Sequence, residues 1–206
     1  MKVTAIEQRK KGLTAIFTDD GDELLIDSEL VIIRNISVGS VIGDAEELSF
    51  ESDFKRAKSR ALWYLARADY SKKALIEKLC KGGFSNKASL SAVDCMEELG
   101  LVNDERLAAR MAEYLNESGV SQREIYFKLI NKGIPREIAS ELSCKNCGDE
   151  KEKIKKLLKT KYATRLKDEE SIKKVFAALV RKGFSFSDVR NVLRKYSDEI
   201  NNSEEF

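Results

Sequence analysis

A fifty-residue spacing of leucines and glycines most constrains the fold of this 206-residue chain. Three leucines recur at this interval, and each is followed four residues later by a glycine and then by an apolar residue. These positions are Leu79, Gly83 and Phe84; Leu129, Gly133 and Ile134; and Leu179, Gly183 and Phe184. Because repetition at a fixed interval is typical of stacked supersecondary units, we predict an internally repeated protein.

Each repeat is predicted to hold three helices, because apolar residues recur at helical spacing on both sides of the leucine. The first helix is predicted over Phe54 to Ala68. The predicted core positions are Ala57, Ala61, Leu62, Leu65, Leu75, Leu79, Leu90, Val93 and Met96 in the first unit, Leu107, Met111 and Leu115 in the second, and Ile154, Leu157, Leu158, Ile172, Val175, Phe176, Leu179, Val189, Val192 and Leu193 in the third. A unit of this size buries its apolar face poorly alone, so the units are expected to stack.

Capping residues predict where several helices begin and end. Ser71 is expected to cap the second helix of the first unit, and Gly83 to end that helix in a left-handed turn. Ser121 with Glu124 reads as a capping box, in which each side chain satisfies the other's backbone N–H. Pro135 stands where the third helix of the second unit should begin, a position that tolerates its missing donor. Ser85 or Asn86, Asn103 or Asp104, and Gly100 mark further helix boundaries.

The acidic amino-terminal segment departs from the helical pattern. Val3 to Gln8, Leu13 to Phe17 and Glu23 to Ile26 are β-prone, and glycine-containing turns separate them. Ser28 is expected to cap a short helix over Leu30 to Ile33. The turn Asp19-Asp20-Gly21-Asp22 lacks the spacing of a calcium loop, so we interpret it as a hairpin turn.

The predicted fold is therefore mostly α: an elongated array of three tandem three-helix repeats with a small amino-terminal β element. The predicted segments are 1–50 for the acidic β element with its short helix, 54–103, 104–149 and 150–200 for the three repeats, and 201–206 for a tail.

Composition excludes several kinds of active site. Histidine is absent, which removes Ser-His-Asp and Cys-His nucleophiles and histidine-containing zinc sites. Cys144 and Cys147 form a lone C-x-x-C that Cys80 and Cys95 do not complete, so we expect two loop cysteines without a shared task. Phosphate-binding glycine motifs, a membrane span and a signal core are all missing from the sequence. We expect a soluble, non-enzymatic protein of a reducing compartment, without metal or cofactor.

Charge is distributed unevenly along the chain. The formal net charge is +2, but residues 1–53 carry −7, residues 54–103 carry +5, residues 104–149 carry −1 and residues 150–206 carry +5. Such asymmetry indicates a polyanionic partner for the later segments, although lysine and arginine are also common on solvated helix faces.

Basic residues recur on the second helix of each predicted unit, several of them at the fifty-residue interval. Such a recurrence favours a positive stripe that neutralises phosphates, and solvated surface lysine is the alternative. The candidates for contact with a partner or DNA are Arg67, Lys72, Lys73, Lys78, Arg123, Lys128, Lys132, Lys173, Lys174, Arg181 and Lys182. Trp63 and Tyr64 could form a base-stacking platform, but the flanking leucines favour a core position for at least one of them.

Several motifs resemble the RecX family of bacterial RecA regulators, over roughly residues 54–195. They are Arg60-Ala61-Leu62-Trp63-Tyr64-Leu65-Ala66-Arg67, Leu75-Ile76-Glu77-Lys78-Leu79, Gly83-Phe84, Leu99-Gly100-Leu101-Val102-Asn103-Asp104 and Arg181-Lys182-Gly183-Phe184-Ser185. The acidic start looks like the β-hairpin extension that some members carry. One departure is Ala68-Asp69-Tyr70, where the family tends to be more basic, which argues against a DNA contact there.

The resemblance implies three helical repeats, no catalysis and a cytoplasmic bacterial protein. It also implies binding in the groove of the RecA filament on single-stranded DNA, which limits filament growth, ATPase, strand exchange and co-protease activity. Filament capping and groove binding both remain open, and we expect a monomer. The alternative from another class is a helical module that binds nucleic acid directly and has no RecA target.

Overall fold

The computed structural model describes residues 1–145, 148–163 and 168–203, and the side chains of the last helix as far as Tyr196. The strands are β1 Val3–Gln8, β2 Leu13–Thr18 and β3 Glu23–Asp27. The helices are α1 Ser28–Ile33, α2 Ala45–Leu65, α3 Lys72–Lys81, α4 Asn86–Glu98, α5 Asp104–Glu117, α6 Gln122–Asn131, α7 Arg136–Lys145, α8 Glu150–Leu157, α9 Glu169–Arg181 and α10 Phe186–Ser203, with a π-helical turn over Leu158–Tyr162 after α8. The predicted mostly α fold with a small β element is confirmed.

The amino-terminal sheet is antiparallel with strand order β1-β2-β3. Glycine-containing turns join the strands, and Lys11, Gly12 and Gly21 adopt the left-handed conformation that such tight turns need. One face of the sheet buries Ile16 and Ile26 against α1 and the start of α2. This packing gives a three-stranded sheet the hydrophobic face that it needs to be stable.

Two predicted boundaries in this region are wrong. Helix α1 is capped by Asp27, whose carboxylate accepts a hydrogen bond from the backbone N–H of Leu30, while Ser28 shares a hydroxyl hydrogen bond with Thr14. Helix α2 begins at Ala45 rather than Phe54. The earlier start follows from the side chain of Asp44, which accepts a hydrogen bond from the N–H of Glu47 and so satisfies the first turn.

Helices α2, α3 and α4 enclose one hydrophobic cluster. Most of the predicted core positions are buried in it, with partly buried aromatic side chains around them. Leu62 and Leu90 are exceptions, because both are exposed. On α4 the buried face is formed by residues three and four apart, from Ala88 to Met96, and Leu90 falls outside this spacing.

The predicted helix ends of this region are confirmed where side chains cap them. Ser71 and Ser85 each accept a hydrogen bond from the N–H three residues on, which places the starts of α3 and α4. Gly83 has a φ of +91°, the left-handed turn predicted after α3.

Helices α5, α6 and α7 form a second cluster around Ile125 and Leu129. The hydroxyl of Ser121 accepts a hydrogen bond from the N–H of Glu124, which is the predicted cap. The Glu124 carboxylate pairs with Lys128 at 3.3 Å instead of returning to the Ser121 N–H, so only the Ser121 half of the predicted capping box is confirmed among the described residues. The carbonyl of Pro135 accepts the first bond of α7, which confirms the predicted start of that helix.

Helices α8, α9 and α10 form a third cluster that contains the predicted core positions of this region. Helix α9 is capped by Asp168, three residues before Ser171, whose own N–H donates to the Asp168 carboxylate. Helix α10 continues through Ser203 and so extends into the segment predicted as a tail, whose residues 204–206 lie outside the described residues.

The chain forms two compact units, Met1–Asn103 and Asp104–Phe206. The division into three repeats stays a prediction. Among the described residues, no helix is both long and apolar enough to cross a membrane.

Candidate nucleic-acid interface

The exposed face of α2 carries an indole beside two guanidinium groups. We call Arg60, Trp63 and Arg67 the Trp63 surface. The Trp63 side chain is 45% exposed, and the Arg67 guanidinium carbon lies 3.6 Å from the centre of the indole ring. Arg60 lies over the same ring at 5.5 Å. Both distances allow cation–π attraction, so the arginines are held beside an accessible aromatic group.

Helix geometry explains this arrangement. Arg60 and Trp63 are three residues apart and so share one side of α2, and Arg67 continues this spacing just past Leu65, the last residue of the helix. Arg67 follows the end of the helix, and its Nη1 donates to the backbone carbonyl of Trp63 at 2.8 Å. A positive charge at a helix carboxyl end is favourable, because the last carbonyl groups carry partial negative charge.

A groove of about 440 Å³ adjoins the Trp63 surface. Its walls come from the β1–β2 turn, the end of β3 and the start of α1, the outer side of α2 and the α3–α4 loop. We call it the α2 groove; its basic and aromatic lining residues are Lys11, Lys55, Arg56, Arg60, Trp63 and Phe84. The Arg56 guanidinium lies 5.4 Å from the Phe84 ring, which repeats the pairing of arginine with an aromatic group.

Two carboxylates also line the α2 groove, and one lysine neutralises part of their charge. Lys55 Nζ lies 2.7 Å from a carboxylate oxygen of Asp27 and 2.6 Å from one of Glu29. Hydrogen bonds to these two groups raise the pKa of Lys55. The groove therefore presents four basic side chains against two acidic ones, and its net charge is positive.

Two predicted contact residues of α3 have different surroundings. Lys72 bridges α3 to α4, with its Nζ 2.6 Å from Glu97 and 2.9 Å from Asp94. Hydrogen bonds to these carboxylates raise the pKa of Lys72 well above its ordinary value. Lys73 is exposed and lies 4.0 Å from Glu77 along the same helix.

Lys78 lies within a tyrosine pair. Its Nζ donates to the Tyr70 hydroxyl at 2.6 Å and lies 4.6 Å from the centres of the Tyr64 and Tyr70 rings. Tyr64 packs against the first hydrophobic cluster. The expectation that at least one residue of the Trp63–Tyr64 pair contributes to the core is therefore confirmed. The Tyr64 ring is half-buried, while the Trp63 ring is exposed.

The predicted contact residues of the compact unit Asp104–Phe206 lie mainly on exposed helix faces. Arg123 lies over the Phe127 ring at 5.9 Å, and Lys132 is exposed at the end of α6. Lys128, Lys173 and Lys174 each pair with a glutamate four residues earlier, at 3.3, 2.7 and 2.7 Å. Arg181 is exposed, and its Nε donates to the carbonyl of Ala177. These ion pairs offset much of the positive charge that the sequence placed there.

The structure brings Arg123 close to the turn after α9. The Ser121 hydroxyl donates to the backbone carbonyl of Lys182, so the start of α6 is joined directly to this turn. Arg123 and Gly183 line the same groove, which Glu150 and Asp188 make partly acidic. Cys144 also lines it and lies on α7, so its predicted loop position is wrong; Cys147 lies outside the described residues.

Sequence reasoning missed the joint placement of Lys11, Arg56 and Arg60 with the exposed indole. The helical spacing of Arg56, Arg60 and Trp63 was visible in the sequence, but no local signal brought Lys11 to them. The sequence also gave no sign that Ile32, Ile33, Val38 and Val41, all near α1, are more than 60% exposed.

The fold and this surface define a class: a mostly α-helical protein with a small antiparallel sheet, whose exposed helices carry basic and aromatic side chains. No protein-family model matches the sequence. The chain is 32% identical over 205 residues to the regulatory protein RecX of Clostridioides difficile (strain 630), and the match covers 94% of each chain. It is 29% identical to the regulatory protein RecX of Clostridium tetani, over 96% of each chain.

Solved structures agree in fold. A crystal structure of a regulatory protein RecX matches with a TM-score of 0.64 and 22% identity, covering 93% of this chain and 98% of that one. RecX from Lactobacillus salivarius matches with a TM-score of 0.57, covering 69% of this chain and 96% of that one. The chain belongs to the RecX family of regulatory proteins.

Proposed function

We propose that this protein is a non-enzymatic regulator of the RecA recombinase. It binds in the helical groove of the RecA filament on single-stranded DNA and limits filament growth, ATPase, strand exchange and co-protease activity. Its membership in the RecX family, on 32% identity over nearly the whole chain, carries this proposal. The motifs from Arg60 to Asp104 support it, because they are the residues on which the resemblance to RecA regulators rests.

The surface chemistry fits a partner that contains nucleic acid. The basic groups of α2 and α3 surround aromatic rings, and this combination suits a phosphodiester strand better than a small neutral ligand. Contact with a filament also requires a protein interface, for which the exposed aliphatic side chains near α1 are available.

A single-strand-dependent RecA ATPase assay tests the proposal. We expect inhibition when the protein is added at a near-stoichiometric ratio to RecA. Full ATPase activity at that ratio, with correctly folded protein, would contradict the proposed function.

The exposed Trp63 surface favours one alternative, a module that binds nucleic acid without RecA. The salt dependence of binding distinguishes this alternative from a RecA regulator. A binder dominated by phosphate contacts should lose orders of magnitude of affinity between about 50 and about 200 mM salt, because bound cations return to the DNA. A filament binder should tolerate this change better and should require RecA.

A further inference from the structure

Trp63 is the single tryptophan of the chain, and almost half of its side chain is exposed. Tryptophan is usually well buried, because its large ring gains much from leaving water. Tyr64 packs edge-on to the indole, with ring centres 5.3 Å apart, and is half-buried against the hydrophobic cluster of α2, α3 and α4. The indole is therefore supported from within the fold while keeping a contact surface toward solvent.

Arginine charges are fixed next to that surface. The bond from Arg67 Nη1 to the Trp63 carbonyl and the 3.6 Å stacking distance hold the guanidinium in place. A guanidinium that is already ordered loses little rotamer entropy when it binds a phosphate. Arg60 supplies a second such group on the same side of α2.

The α2 groove continues this chemistry. Lys11 and Arg56 line it beside Phe84, so a second pairing of cation and aromatic ring follows the first. A single strand alternates charged phosphates with less polar sugars and bases. The α2 groove can contact both, because basic side chains lie beside the Trp63 and Phe84 rings in its lining. Its acidic members, Asp27 and Glu29, are bonded to Lys55 and present less repulsion than free carboxylates.

We propose that the Trp63 surface and the α2 groove bind single-stranded polynucleotide directly. One base stacks on the face of the Trp63 indole opposite the Arg67 guanidinium, phosphates on either side of it contact Arg60 and Arg67, and the strand follows the α2 groove past Arg56 and Lys11. The site favours single strands over a duplex, because the faces of duplex bases are already covered by their neighbours. This inference rests on the proposed function and deepens it: the surface contacts the DNA strand of the filament rather than RecA.

The intrinsic fluorescence of Trp63 reports on this contact without a label. The full chain, without RecA, is titrated with a short oligothymidylate at about 50 mM salt. Stacking of a base on the indole should quench the emission in a saturable manner. The duplex form of the same length and thymidine monophosphate are the comparison ligands, and neither should produce the same quenching at equal nucleotide concentration.

Two variants and one control sharpen the measurement. Trp63→Leu, followed by anisotropy of a labelled oligonucleotide, should bind roughly five- to 150-fold more weakly, which is the usual cost of losing one stacked base. Arg67→Gln retains the indole and should shift the quenching midpoint by roughly tenfold or less. Tyr114→Leu removes an exposed aromatic ring from α5 and should leave the affinity unchanged.

Each outcome decides between the two proposals. Absence of quenching, quenching by the mononucleotide alone, or equal losses for Trp63→Leu and Tyr114→Leu would overturn the stacking site. Inhibition of RecA by a protein that shows no quenching would leave the proposed function standing without it. Quenching without inhibition would keep the stacking site and reject the RecA regulator.

Discussion

Helices α2 and α5 occupy corresponding positions in the fifty-residue frame, yet their exposed faces carry opposite chemistry. Helix α2 with the residue Arg67 just after it presents two arginines and a tryptophan, while α5 presents one arginine and two glutamates. The corresponding residues are Arg60 and Arg110, Trp63 and Glu113, and Arg67 and Glu117. A polyanionic strand that is attracted to the first face would be repelled at the last two positions of the second.

The buried faces of the same two helices agree at some corresponding positions. Ala57 in α2 and Leu107 in α5 each belong to a hydrophobic cluster, and Leu65 and Leu115 are half-buried against the same two clusters. The fifty-residue pattern is therefore kept where a side chain packs against neighbours, because buried positions are constrained by them. Exposed positions are free of that constraint, so binding chemistry can belong to one unit alone.

The largest loss of single-strand affinity should come from replacing two residues of the Trp63 surface with the glutamates found at the corresponding positions of α5. In Trp63→Glu with Arg67→Glu, stacking and a phosphate contact are lost and two repulsive charges are gained. We expect at least a roughly hundredfold loss of single-strand affinity by anisotropy.

Unchanged thermal unfolding would show that this loss concerns binding, since both positions are exposed. The matched control is Glu113→Gln with Glu117→Gln, which should not weaken binding. A comparable loss in the control would break the contrast between α2 and α5.

The next effect concerns stability at two corresponding glycines. Gly83 and Gly183 have φ values of +91° and +89°, but a Cβ at Gly83 meets no atom within 4 Å, whereas one at Gly183 would lie 2.7 Å from the Ser121 hydroxyl. Gly83→Ala should cost about 1 kcal/mol from backbone strain. Gly183→Ala should cost about 2 kcal/mol or more, because it also disturbs the cap of α6. Urea unfolding measures both, and equal costs would contradict the contact at Ser121.

A smaller effect is expected from reversing charge along the predicted stripe. Lys73→Glu, Arg123→Glu and Lys173→Glu together should raise the concentration needed for half-inhibition of the RecA ATPase by about tenfold, since each site contributes a solvent-screened charge. Thermal unfolding is the control for folding. The α2 double variant is measured in the same ATPase assay. A larger rise in the half-inhibition concentration for the triple variant than for the double variant would move the main contact from the Trp63 surface to the stripe.

The smallest effect concerns Lys72, whose counterpart fifty residues on is Gln122. The raised pKa of Lys72 means that its ion pairs with Asp94 and Glu97 stabilise the fold at pH values below the ordinary lysine value of 10.5, and that this contribution is lost as pH rises through the folded-state pKa. Lys72→Met should cost less than about 1 kcal/mol at neutral pH, because the side chain is partly exposed.

Urea unfolding of wild type and Lys72→Met is compared at neutral pH and above pH 10.5. The difference between the two proteins should shrink at the higher pH. A difference that grows there would show that Lys72 has another role.

Local sequence signals predicted much of the fold. The three strands were placed to within one residue at each end, and Ser71, Ser121 and Pro135 were placed correctly at helix starts. These features depend on hydrogen bonds between residues a few positions apart, which a sequence shows directly. The start of α2 was misplaced although Asp44 provides the same kind of cap. Asp44 lies in the acidic segment that the sequence analysis assigned to the β element, so a helix was not predicted to begin there.

The candidate site was only partly predictable. Arg67 and Trp63 were named from the sequence, but Lys11 joins them from a turn more than fifty residues away along the chain. Other predicted contact residues, such as Lys72 and Lys78, proved to be engaged within the fold. A pattern of charges gives no information about which carboxylate or hydroxyl a lysine will meet.

Hydrophobic periodicity, caps and motifs are local properties of the chain, so the helical class, the order of the elements and the family were predictable from them. Which charges remain available for a partner depends on tertiary packing. Packing half-buried the Tyr64 ring and left the neighbouring Trp63 ring exposed, and it brought Lys72 to carboxylates on the neighbouring helix α4. Exposure and ion pairing depend on residues distant in sequence, so they exist only once the chain has folded.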